Sequence, residues 1–174
     1  EYDDYQVLQA LHRFPLEGRQ VDLQFSYSQP YVNVVKEKIE PRQSSQSILQ
    51  LGYQFSCQYG DKDYFALIVF NAMFGEFAHS ALFTTLREKE GLAYSISSQF
   101  DVFTGLLEVY AGIEKSNRNQ AMRGIIRELN HIKLGRFSSS LFNQTKKIIR
   151  MNALLSEDHA LTLVEQHFNK VIFG

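Results

Sequence analysis

The stretch FTTLREKEGLAY, residues 83–94, decides the fold, because it joins an apolar helix to a strand through a single glycine. Four charged residues from Arg87 to Glu90 stand at the end of the predicted helix, where the helix dipole favours cations such as Lys89. Gly91 follows as the expected left-handed stop. We therefore predict a helix–glycine–strand corner, with Arg87 before the glycine and Tyr94 after it.

The sequence before the corner predicts a strand and two helices. The apolar run 64–74 is typical of a buried helix, with cap candidates at 61–63 and Gly75 placed to end it. Ser80 can cap the helix that reaches the corner, where Leu82, Phe83 and Leu86 share a face. Residues 47–55 alternate with period two, as in a strand with one buried face: Leu49, Leu51, Tyr53 and Phe55 against Ile48, Gln50, Gly52 and Gln54.

The sequence after the corner predicts a hairpin followed by three helices. Residues 93–103 and 105–113 have strand composition and meet at Thr104 and Gly105. The helices have cap candidates at Asn117, at 138–140 and near Asp158, and Gly135 closes the first of them. Their apolar residues recur at three- and four-residue spacing: Met122, Ile125, Ile126, Leu129; Leu141, Phe142, Thr145, Ile148, Ile149; Leu161, Val164, Phe168, Val171.

The first thirty residues form a poorly legible lead-in, with a short helix over 5–14 and an apolar alternation over 21–27. Residues 31–39 have strand composition. The predicted order is strand, strand, helix, helix, strand, strand, helix, helix, helix. Because neighbouring strands come in pairs, antiparallel pairing is favoured, with helices gathered on one face. We predict an α+β fold, a two-layer sandwich of a mainly antiparallel sheet and helices on one face.

The composition excludes several classes of protein. A net charge of −1 over 174 residues argues against a surface that attracts nucleic acid. No apolar run reaches the roughly 18 residues of a membrane span, so we expect no membrane partner. The lone cysteine, Cys57, is interpreted as a small buried apolar residue; it forms no disulfide within the chain and suits a reducing compartment. We expect a cytoplasmic location.

The ends of the chain suggest a larger parent. Residue 1 is Glu rather than Met, nothing near it resembles a signal peptide, and the chain ends directly after an amphipathic helix. We therefore interpret residues 1–174 as a single α+β domain excised from a longer protein.

The histidines do not predict a metal site. His12, His79, His131, His159 and His167 form no H-x-x-E-H or H-x-x-H motif, and no pair has the i, i+4 spacing that places two imidazoles on one helical face. We expect no metal ligands and no cofactor in this chain. A serine hydrolase is also unsupported, because no G-x-S-x-G occurs.

Arg87 and Tyr94 can be interpreted in two ways. A structural interpretation makes Arg87 a helix-end cation paired with Glu90, and Tyr94 a core aromatic that shares strand parity with Ile96. A functional interpretation takes the two together. A guanidinium and a phenol held on one rim are both hydrogen-bond donors suited to a peptide carbonyl or the oxyanion it becomes.

Residues 71–98, NAMFGEFAHSALFTTLREKEGLAYSISS, resemble the second-domain motif of the insulinase/pitrilysin family of zinc peptidases, which includes the mitochondrial processing peptidases. The similarity extends from about Lys36 to the end of the chain, and its details are most similar to bacterial paralogues that accompany a zinc-bearing subunit. The family's loop before the helix is often glycine-rich, whereas residues 75–80 here read GEFAHS. The resemblance therefore does not imply that residues 75–80 handle substrate as a glycine-rich loop would.

The resemblance implies a zinc peptidase built from two homologous halves around a closed chamber. One half binds zinc through H-x-x-E-H, so zinc is expected in a partner half, either in the same chain or in a second subunit. An Arg and a Tyr seven residues apart reach that site from a second-type domain, and Arg87 and Tyr94 match them in type and spacing. This fragment alone is expected to be inactive, forming chamber wall and a substrate-binding Arg/Tyr clamp for a peptide.

The sequence is also compatible with two other functions. The same fold serves as a catalytically inactive scaffold in core subunits of respiratory complexes, which resemble the family without acting as peptidases. A peptide-binding module is also compatible, since an extended peptide can add to an exposed sheet edge.

Overall fold

A computed structural model describes residues 3–15, 34–156 and 159–173. Within them the chain forms five α-helices, three strands and two π-helical segments, which we call the π turn and the π helix. The order is α1 (Asp4–His12), β1 (Ser47–Gln54), α2 (Tyr64–Asn71), the π turn (Ala72–Glu76), the π helix (Phe83–Lys89), β2 (Ala93–Asp101), β3 (Leu106–Ile113), a 3₁₀ turn (Lys115–Asn117), α3 (Arg118–Lys133), α4 (Ser139–Ser156) and α5 (Ala160–Phe173).

The strands form one antiparallel sheet in the order β1–β3–β2, so the predicted hairpin places β3 at the centre. Burial in β1 alternates residue by residue as the sequence predicts. In β3 the residues Leu107, Val109, Ala111 and Ile113 are all buried, while the residues between them face the other side. One sheet face is therefore apolar. We call the opposite face the open face; it is mainly polar, with Gln50, Ser97, Gln99 and Glu108, and it also carries the exposed Ile48.

The core lies between the apolar sheet face and the helices. Phe74 of the π turn and Leu82 and Leu86 at the π helix are fully buried in one cluster with Val109 and Ile125. Gly124 of α3 comes so close to Leu86 that a Cβ there would stand 3.2 Å from its side chain. The predicted α+β class, with an antiparallel sheet and helices on one face, is confirmed.

Several local signals of helix and turn ends are confirmed, but the predicted caps Asp63 and Asn117 make no side-chain cap hydrogen bond. Gly91 has φ +61° and Gly105 has φ +65°, so both take the left-handed conformation that favours glycine. Ser138 caps α4 by accepting a hydrogen bond from the Leu141 nitrogen at 3.1 Å. Asp101 ends β2 two residues earlier than predicted, because its carboxylate accepts from the Phe103 nitrogen and the Thr104 hydroxyl.

Three predictions about the elements before the corner are wrong. Residues 34–39, the described part of the predicted strand 31–39, are not in a strand: Val35 is 95% exposed, and strand composition without a hydrogen-bonded neighbour does not make a strand. The apolar run 64–74 is not buried throughout, since Phe65 is 76% exposed and full burial begins at Asn71. Gly75 does not cap that helix but lies inside the π turn, close to Ser98.

The remaining predictions concern the two ends of the chain. The helix predicted over 5–14 is present as α1, whereas the alternation over 21–27 lies outside the described residues, as does the proposed cap Asp158. The apolar stripe of α5 is correctly placed on a helix but is exposed. No helix in the described part of the chain is both long and apolar enough to span a bilayer.

Candidate functional site

The helical side of the corner is a π helix rather than the expected α-helix. The Glu90 nitrogen donates to the Thr85 carbonyl five residues back, at 2.9 Å, and the Leu92 nitrogen reaches the Leu86 carbonyl at 2.8 Å. Segments of π helix are rare and frequently occur at functional sites. Here the segment places the exposed Arg87 guanidinium 4.5 Å from the centroid of the Phe83 ring, a cation–π contact on the protein surface.

Arg87 does not pair with Glu90, as the structural interpretation of the sequence supposed. Glu90 instead accepts from the Arg127 guanidinium of α3 at 2.6 Å, and Arg127 also contacts Glu128 at 2.9 Å. These carboxylates, Glu128 foremost, raise the pKa of Arg127. The carboxyl end of the π helix is thus tied to α3, which leaves the Arg87 guanidinium without an ion pair in the described part of the chain.

The strand side of the corner contains a β-bulge that exposes Tyr94. Ala93 lies opposite Ile113 and Ser95 lies opposite Gly112, so Tyr94 is an extra residue with no partner in the ladder. The bulge shifts the alternation by one residue. Ala93 and Ile96 are both buried, whereas Tyr94 is 57% exposed. The parity argument for a core tyrosine is therefore wrong.

The structure brings both predicted residues to the surface on either side of Gly91. No hydrogen bond joins Arg87 to Tyr94, and the Tyr94 hydroxyl has no hydrogen-bond partner among the described residues. Beneath them, Leu86 and Ala93 anchor the corner in the core. Two hydrogen-bond donors, a guanidinium and a phenol, are therefore exposed on either side of Gly91.

The loop that precedes the π helix is held by side chains rather than by glycines. The Asn71 amide links the Glu76 carboxylate, at 3.0 Å, to the buried Ser98 hydroxyl, at 2.7 Å. His79 stacks on Phe77 and lies 2.9 Å from the buried Thr145 hydroxyl. Burial lowers the pKa of His79.

Sequence reasoning missed these anchors. Asn71 could have been noticed as the single amide within an apolar run, but its partners lie on other elements.

The open face carries a second group that sequence reasoning missed. The Glu108 carboxylate, on the central strand, accepts from the Gln50 amide at 3.1 Å and from the Gln99 amide at 3.2 Å. Gln50 also donates to the Tyr110 hydroxyl at 3.0 Å. Burial, and then hydrogen bonding to Glu108, raise the pKa of Tyr110. In the sequence, Glu108 and Tyr110 alternate with apolar residues, which indicates that they share one face of β3. The alternation does not show which residues of the neighbouring strands they contact.

A family model described as the peptidase M16 inactive domain matches residues 11–149, well over half of the chain. The chain belongs to the peptidase M16 inactive-domain family. The resemblance to insulinase-like peptidases is thereby confirmed, and the matched domain type is the one described as inactive.

Curated relatives support the assignment and are much longer than this M16 domain. It is 44% identical over 130 residues to the Bacillus subtilis protein named probable inactive metalloprotease YmfF, covering 75% of the chain and 30% of that protein. It is 28% identical over 117 residues to an uncharacterized zinc protease, YmxG, of the same species, covering 66% and 28%. The chain thus spans about 30% of the length of these relatives.

Solved structures show the same M16 fold. A conserved protein from Enterococcus faecalis matches with a TM-score of 0.86 and 38% identity, over 98% of this chain and 40% of that one. A peptidase M16 inactive domain from Pseudomonas fluorescens matches with a TM-score of 0.58 and 20% identity, over 64% and 27%. At that lower identity the likeness concerns the fold alone.

The described residues of this M16 domain offer no set of ligands for a zinc ion. No group of three His, Cys, Asp or Glu side chains within the described ranges is arranged to hold a metal. The histidines that the structure places lie on separate elements, and His79, His131 and His159 contact Thr145, Glu128 and Thr162 respectively.

Proposed function

We propose that this domain is the zinc-free part of an M16 peptidase or of its partner subunit, and that Arg87 and Tyr94 bind the peptide substrate. The parent protein contributes the zinc-bearing half, in the same chain or as a second subunit. The isolated domain neither binds zinc nor cleaves peptides. A cytoplasmic location for the parent remains a prediction.

The exposure of Tyr94 at the bulge is the single observation that carries the proposal. In a regular strand with one buried face, the Tyr94 ring would be expected to point into the core. The bulge turns it to the surface instead. Bulges often re-aim a side chain next to an active site. A phenol without a partner in the described chain is free to donate to a substrate carbonyl.

Arg87 supports the same role through its surroundings. It stands among Glu88 and Glu90, yet its guanidinium is held over Phe83 rather than neutralised by a carboxylate. A guanidinium with free donors can bind a carbonyl oxygen, and it binds more tightly as negative charge develops on that oxygen. The Arg87 guanidinium would thus act on the substrate by hydrogen bonding, without giving up or taking a proton.

The open face supports a role as chamber wall. It is mainly polar, with Ser97 and Gln99 of β2 exposed and Glu108 half-exposed. An extended peptide has backbone groups that such a wall can solvate. Helices pack against the apolar face, so the open face is the side of the sheet that the described part of the chain leaves for a peptide.

The test uses the full-length protein together with its homologous partner. The assembly is expected to contain zinc and to cleave a fluorogenic peptide, and Arg87→Ala is expected to lower kcat/KM at least tenfold without changing the zinc content. An assembly in which Arg87→Ala leaves kcat/KM unchanged would contradict the clamp.

A second function, an inactive scaffold or peptide-binding module, is favoured by one observation. The 44% identical relative is itself named an inactive metalloprotease. If the full assembly bound peptides without requiring zinc, and if it cleaved no peptide with any partner, this alternative would replace the proposal.

A further inference from the structure

The open face holds one carboxylate in a fixed position at the centre of the sheet. Glu108 lies on β3, the central strand, and each of its oxygens accepts an amide from a different edge strand, Gln50 on β1 and Gln99 on β2. Both donors are neutral, so they orient the carboxylate and leave its negative charge in place.

The charge of Glu108 is not compensated within the described chain. No ion pair reaches it, and β1, β2 and β3 contain no Lys, Arg or His. The only other carboxylate in the sheet, Asp101, is occupied in the turn by the Phe103 nitrogen and the Thr104 hydroxyl. A carboxylate accepts about four hydrogen bonds, and Glu108 uses three of them for Gln50, Gln99 and the Tyr110 hydroxyl, so one site remains for a ligand.

Space for a ligand lies directly beside this carboxylate. Gly52 of β1 is the residue opposite Glu108 in the ladder, and a Cβ built on Gly52 would meet nothing within 4 Å. Directly opposed side chains in antiparallel strands have Cβ atoms about 5 Å apart, so the missing side chain opens room against Glu108 itself. The backbone at Gly52 does not need glycine, because its φ is not positive.

We infer that Glu108, together with the space above Gly52, is a subsite for a cationic side chain, Lys or Arg, of the bound peptide. The subsite rests on the proposed function, in which the open face lines the peptide chamber, and it adds a preference for basic residues. A charge-assisted hydrogen bond to an oriented, half-buried carboxylate is stronger than a neutral one. The preference should therefore amount to about tenfold in affinity.

The test compares two labelled peptides with the full-length protein by fluorescence anisotropy. The peptides are extended decamers of identical sequence in which one central residue is Arg or its neutral isostere citrulline. The wild type is expected to bind the Arg peptide about tenfold more tightly. Glu108→Gln keeps the shape of the side chain and removes the charge, and it is expected to abolish the difference. Glu165→Gln, the same charge change on exposed α5, is expected to retain it.

A second variant tests the space independently of the charge. Gly52→Val fills the open position with a residue that strands favour, so the thermal midpoint should hold or rise while the preference for Arg falls. If the wild type binds both peptides equally, or Glu108→Gln keeps the preference, the subsite is overturned while the Arg87–Tyr94 clamp stands. If neither peptide binds, the proposed function fails, and this inference with it.

Discussion

Gly75 lies directly against Ser98, so that a Cβ on Gly75 would stand 2.5 Å from the Ser98 hydroxyl oxygen and 2.8 Å from its backbone nitrogen. The contact brings the π turn close to β2, and it lets the Ser98 hydroxyl reach Asn71. It is the closest approach of a helical segment to the sheet at any described glycine.

Gly75→Ala is expected to destabilise the domain by about 2 kcal/mol, because an added methyl must displace strand backbone rather than a flexible side chain. The higher helix propensity of Ala offsets only about 1 kcal/mol of the cost of this clash. Chemical denaturation measures the difference, and Gly52→Ala is the matched control, because it adds the same methyl in open space. Equal stability of the two variants would contradict the described packing.

Arg127→Met is expected to lower stability by about 1 kcal/mol and to lose most of that effect in 1 M salt, since the ion pair with Glu90 is partly exposed. The measurement is the denaturation midpoint at low and high salt. Arg123→Met is the control, because no ion pair involves Arg123 in the described chain. A loss that salt does not change would mean that Arg127 acts through packing alone.

His79 is expected to make stability depend on pH. Burial lowers its pKa below the ordinary 6.5, so the unfolded chain binds a proton more readily than the folded one. The neutral ring's contribution is complete above pH 6.5 and declines as the pH falls below that value. Melting curves between pH 8 and pH 5 should show a steeper fall for the wild type than for His79→Phe. Parallel curves would exclude this role.

The sequence predicted the features that depend on neighbours along the chain. Gly91 was recognisable as a left-handed stop and Gly105 as part of a hairpin turn, and the alternation of Leu49, Leu51 and Tyr53 predicted the buried face of β1, because these signals are local. The antiparallel hairpin followed from two strands separated by a short turn.

Features set by partners across the fold were missed. The bulge at Tyr94 exists because Ala93 and Ser95 pair with consecutive residues of β3, and that register cannot be read from β2 alone. The same is true of Glu108, whose two amide donors come from strands on either side. Only the family resemblance singled out Tyr94, and strand parity argued for the wrong side of the sheet.

The most direct test of the Arg87–Tyr94 clamp is the Tyr94→Phe variant, measured for both turnover and thermal stability in the full-length protein with its zinc-bearing partner. Because the hydroxyl is exposed and has no partner in the described chain, we predict about a tenfold or greater fall in kcat and a change of stability of no more than about 0.5 kcal/mol. Unchanged kcat, or a large loss of thermal stability, would contradict it.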